Sequence, residues 1–86
     1  MKMIILIVKD SLTEALTRAL TSAQYRVTGI ASTGGFLRSG VSTLLIGLEA
    51  SQLEPAISLI RSTLAAPSSG PQATLFVVPV SRFEQV

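Results

Sequence analysis

Residues 25–49 read YRVTGIASTGGFLRSGVSTLLIGLE, two β-like runs separated by a segment rich in glycine and hydroxyl residues. The first run, Tyr25 to Ser32, alternates in character. Tyr25, Val27 and Gly29 fall on one face of a strand, and Gln24, Arg26 and Thr28 on the other. The second run, Thr43 to Glu49, is denser in aliphatic residues and carries Gly47 in its interior. Between them, residues 32–43 (STGGFLRSGVST) make a connection of twelve residues, where hairpin loops usually take about two to five. Two readings fit that length. Gly34 and Gly35 either supply the positive φ of an extended turn or present a row of backbone N–H groups to an anion.

The flanking chain gives this strand pair its place. Met3 to Val8 (MIILIV) is a continuous apolar run rich in β-branched residues, as expected of a central strand. Asp10 or Ser11 can cap the next helix, and Ser11 with Glu14 has capping-box spacing. Leu12, Ala15, Leu16 and Leu20 form its apolar stripe, and the pattern predicts a helix to about Ala23. Ser51 and Glu54 repeat the capping-box spacing. Leu53, Ile57, Ile60 and Leu64 then recur at i, i+4, i+7 and i+11, predicting a second helix. Residues 65–72 (AAPSSGPQ) read as a loop, Ala73 to Val80 as the last strand, and SRFEQV as a tail. The order strand–helix–strand, strand–helix–strand predicts an α+β ferredoxin-like βαββαβ sandwich over residues 1–86, with an antiparallel sheet and both helices on one face.

Composition adds a second expectation. Of 86 residues, 48% are apolar and only 14% charged, where a typical domain is about a quarter charged. One sheet face has no helix to cover it, so this much apolar material predicts burial against further copies of the chain. The net charge is +2, and the basic residues Lys2, Lys9, Arg18, Arg26, Arg38, Arg61 and Arg82 are scattered. No run of them suggests a nucleic-acid arm. The opening apolar run is too short to span a bilayer and lacks a signal-peptide cleavage pattern, so a cytoplasmic protein without membrane insertion is expected.

The chemistry of catalysis is poorly represented. Cysteine and histidine are both absent, which removes thiolate chemistry, disulfides and the commonest general base and neutral metal ligand. The acids Asp10, Glu14, Glu49, Glu54 and Glu84 sit mostly at predicted helix starts or a strand end, where capping and solvation account for them. No nucleophile has an evident base, and the sheet lacks the aromatic pattern used to stack RNA bases. The expectation is a non-enzymatic protein without catalytic residues, metal or cofactor.

Three segments carry a resemblance. MKMIILIVKD at the start, STGGFLRSGVSTLLIGLE in the middle and ATLFVVPVSRFEQV at the end are similar to the PII-like cyclic-di-AMP receptor family of bacteria. The resemblance implies a homotrimer with nucleotide sites in the clefts between subunits, signalling to a target protein whose identity the sequence does not give. It also implies ligand contacts from Arg26 and Thr28 on the second strand, from Gly35, Phe36 and Leu37 in the glycine segment, from Gly47, and from Phe76 and Gln85 near the end. The chain departs from the family pattern at Gln24 and Val41, where the pattern has asparagine, and in the short 65–72 segment. An alternative expectation is therefore a trimeric protein-interaction module that has lost nucleotide binding.

Overall fold

The computed structural model describes residues 1–30, 40–64 and 72–86. Strand β1 (Lys2–Lys9) leads directly into helix α1 (Asp10–Ser22), followed by β2 (Arg26–Ile30) and β3 (Val41–Leu48). A single 3-10 turn (Ala50–Gln52) precedes helix α2 (Leu53–Thr63), and β4 (Ala73–Pro79) completes the sheet. The four strands pair in the order β2-β3-β1-β4, all antiparallel. This is the ferredoxin-like βαββαβ arrangement. Residues 31–39 and 65–71, within the two segments read as loops, lie outside the described residues, while strand β3 begins at Val41 rather than at the expected Thr43.

Alternation along β1 explains how the layers form. Ile4, Leu6 and Val8 are fully buried, whereas Met3, Ile5 and Ile7 are only partly so. Register carries that division across the sheet, because directly paired residues share a face. Ile4 pairs with Ile46 and Val77, and Leu6 with Leu44 and Leu75, all toward the helices. Leu16 and Leu20 of α1, with Ala56 and Ile60 of α2, close the core from above. Each fully buried leucine or isoleucine of this core contributes about 1.5–3 kcal/mol.

The helix starts differ from their sequence-based expectations. Helix α1 begins at Asp10 itself, ahead of the expected caps, with no side-chain cap bond at Lys9, so the Ser11–Glu14 box does not form. Tertiary contacts hold this end instead. The Asp10 backbone N–H donates to Gly40 O at 2.8 Å, and the Ser42 hydroxyl donates to the Asp10 carboxylate. Glu14 pairs with Arg18 at 2.7 Å on the exposed surface, where such pairs contribute little. At the second helix the box is displaced rather than lost. Glu49 caps the 3-10 turn, and its backbone N–H donates to Gln52 Oε1 at 2.9 Å. Pro55 thereby falls inside the first turn of α2, where its missing N–H leaves no bond unmade.

Helix α1 ends in a Schellman motif. The Gln24 N–H donates to Thr21 O and the Tyr25 N–H to Leu20 O, each at 2.9 Å, the paired bonds of that motif. Its geometry places Gln24 at φ 71°, in the left-handed region, where a residue with a Cβ is strained. Gln24→Gly is expected to raise unfolding stability by about 0.5–1 kcal/mol, read as a higher midpoint in thermal melts.

Candidate functional site

The sheet face away from the helices is organised in rows set by register. One row runs Arg26–Gly47–Met3–Val78 and the next Thr28–Leu45–Ile5–Phe76. The first lies where β2 and β1 begin and β3 and β4 end, so it is also where the C-terminal tail leaves the sheet. Residues Met1, Met3, Arg26, Thr28, Leu45, Gly47, Val80, Phe83 and Gln85 enclose a concavity of about 550 Å³ there. A backbone bond from Val80 N–H to Met1 O at 3.0 Å ties the two chain ends at its margin.

The chemistry of this cleft follows from its composition. Met1, Met3, Leu45, Val80 and Phe83 form an apolar body, to which thioethers bring adaptable shape. Arg26 brings a guanidinium, Thr28 a hydroxyl and Gln85 an amide. These suit an anionic group with hydrogen-bonding edges attached to a flat apolar portion. Gly47 shapes the floor. Register passes through it without a slip, so it is not a bulge. Its absent side chain leaves exposed backbone between Arg26 and Met3. A Cβ built there would meet only the Met1 methyl, at 3.6 Å, an ordinary contact.

Four of the residues implied by the resemblance (Arg26, Thr28, Gly47 and Gln85) therefore line one cleft. Phe76 does not. It shares the open face, but stands over Ile5 on the opposite edge strand and is 52% exposed. It lies three strand spacings from Thr28, roughly 14 Å. Gly35, Phe36 and Leu37 lie outside the described residues. Their anchors, Ile30 and Gly40, are at the other end of the β2–β3 hairpin, with Ile30 roughly 13 Å along β2 from Arg26. Val41 is also at that end, on the same face as Gly47 but roughly 20 Å along β3. Sequence reading missed Met1, Met3, Leu45, Val80 and Phe83. For Met3 and Leu45 a signal existed, because each has the strand parity of the open face. Phe83 stands two residues before Gln85 in the tail.

No three His, Cys, Asp or Glu side chains gather into a metal-binding group among the described residues. No described helix is long and apolar enough to cross a membrane.

The family model for the cyclic-di-AMP receptor matches residues 1–69. The chain belongs to the cyclic-di-AMP receptor family. Its match includes β1, β2 and β3, and hence Arg26, Thr28 and Gly47. The family is one of receptors rather than enzymes. Among solved structures, the chain resembles a functionally unknown protein from Pediococcus pentosaceus ATCC 25745, with a TM-score of 0.79 at 28% identity. That alignment covers 99% of this chain and 96% of the other, so the similarity extends through the whole sandwich, tail included.

Because a side chain at Gly47 meets so little in the unliganded cleft, Gly47→Ala is expected to fold normally. Its thermal midpoint should lie within a few degrees of the parent, corresponding to a change of roughly 0.5 kcal/mol or less for an exposed site.

Proposed function

We propose that the cleft seats cyclic-di-AMP, or a related adenine nucleotide, in a homotrimeric PII-like signalling protein that relays occupancy to a target protein. One observation carries this reading. Strand register gathers Arg26, Thr28 and Gly47 into one concavity, and the tail adds Gln85. Arg26 is placed to take phosphate oxygens through charge-assisted hydrogen bonds, and Thr28 and Gln85 to take polar edges. Gly47 admits the ligand close to the strand backbone.

Assembly of three copies is supported by the rest of the open face. Ile30 and Phe76 are 45% and 52% exposed there, beside half-buried Ile5, Ile7 and Leu45. Burying such a face between copies removes it from water. The glycine segment and the cleft are anchored at opposite ends of the β2–β3 hairpin. A head-to-tail neighbour would bring its hairpin end to this cleft, a heterologous contact that closes into a ring when the rotation is right. Relay requires the ligand to favour one of two states of the cleft surroundings, and a target able to tell them apart.

Calorimetry with cyclic-di-AMP, cyclic-di-GMP and ATP tests the reading, with saturable heat expected for cyclic-di-AMP. The absence of heat from all three at high micromolar ligand overturns it. A trimer that takes no nucleotide would instead favour the interaction-module alternative. Two variants locate the site. Gly47→Val should lose binding while native mass spectrometry still finds the parent assembly. Arg26→Gln should weaken binding roughly tenfold or more, as for loss of a charge-assisted hydrogen bond. A monomeric native mass would overturn the homotrimeric part of the proposal.

A further inference from the structure

We infer that Phe83 is the stacking platform of the cleft, and that tail residues 81–86 fold over a bound purine as its closing element. This rests on the nucleotide reading above and adds to it the seat of the base.

Phe83 is the aromatic residue among the described ones lining the concavity. The residue is 58% exposed, although an apolar floor of Met1, Met3 and Leu45 lies within the same cleft. Large apolar rings left in water beside an apolar concavity mark a surface that gains by taking a partner. The shape of that partner follows from the floor. Gly47 leaves a low point in the row between Arg26 and Met3, covered only by the flexible Met1 side chain, so a flat group that displaces that methyl can enter between strand and tail. With Arg26 at one end to hold an anion, an anion joined to a flat aromatic ring matches the cleft in both parts. A purine nucleotide has that constitution.

The tail also stands outside the hydrogen bonding of the sheet. Its base is fixed by the Val80–Met1 backbone bond. Beyond it, residues 81–86 are all exposed. The ion pair that Arg82 makes with Glu84, at 3.1 Å, lies within the tail itself. No hydrogen bond among the described residues ties 81–86 back to the strands. Its hold on the body is therefore the packing of Phe83 and Gln85 around the cleft. A base inserted against Phe83 adds contacts to a segment that otherwise has few, and ligand binding orders the tail by that difference.

The chain contains no tryptophan and a single tyrosine, so Phe83→Trp creates a unique indole reporter at the proposed platform. Titration with cyclic-di-AMP under indole-selective excitation should quench or shift its emission, saturating at the dissociation constant found by calorimetry. Phe83→Ala should weaken binding roughly 5- to 100-fold, as when a base loses an aromatic stacking partner. Phe83→Tyr should stay within about threefold, since it keeps the ring. Circular dichroism and native mass should match the parent for all three variants. Should Phe83→Ala fail to assemble, the Trp variant decides alone, because it keeps an aromatic ring. If the parent binds and Phe83→Ala matches it within about twofold, or the indole emission ignores saturating ligand, the Phe83 assignment falls and the nucleotide reading stands. If the parent takes no nucleotide, both fall together.

Discussion

Pairing of β1 with β3 is the constraint on which both the core and the cleft depend. Ile4, Leu6 and Val8 must face the helices, because α1 and α2 have no other apolar surface on which to close. Side chains alternate across a strand, so this requirement turns Met3, Ile5 and Ile7 to the opposite face. The Ile4–Ile46 pairing then sends Leu45 and Gly47 the same way, and the Val27–Ile46 pairing sends Arg26 and Thr28 with them. A one-residue slip would bury Arg26 under the helices and expose Ile46. The free energy of the core thus fixes the geometry of a site that it does not touch.

That dependence accounts for what the sequence made legible. The parity of Arg26 and Thr28, and the continuous apolar run of β1, are local patterns with one low-energy solution, so the element order and the ferredoxin-like sheet could be read directly. The capping boxes misled because the spacing at Ser11–Glu14 and Ser51–Glu54 is common, whereas the observed arrangements depend on contacts made elsewhere. Asp10 is held by Gly40 and Ser42, which are distant in sequence. Phe83 was hidden for a related reason. Tail residues have no periodicity, and their place in the cleft depends on the meeting of the two chain ends through Val80 and Met1.

The departures from the family pattern take on different weights once placed in the fold. Val41 stands at the hairpin end of β3, roughly 20 Å from Gly47, and so does not border the cleft described here. Gln24 precedes β2 and occupies the left-handed position of the α1 Schellman motif. Asparagine tolerates that conformation better than glutamine does. An asparagine there therefore has a backbone role whether or not it meets a ligand, and its replacement bears first on the stability of the turn.

A receptor must also transmit, and the walls of the cleft differ in their capacity to do so. Arg26, Thr28, Leu45, Gly47 and Met3 project from paired strands whose opposite faces are packed into the core. Moving them means disturbing Ile4 and Ile46, both fully buried, and close-packed interiors resist such shifts. This half of the cleft is therefore held in place by the core beneath it. Phe83 and Gln85 project from a segment outside the sheet, anchored by one backbone bond at its base. A population shift needs two accessible arrangements with different ligand contacts. On the proposed reading, recognition therefore falls to the strands, and the tail, which the core does not hold, is the wall whose arrangement a bound ligand could change.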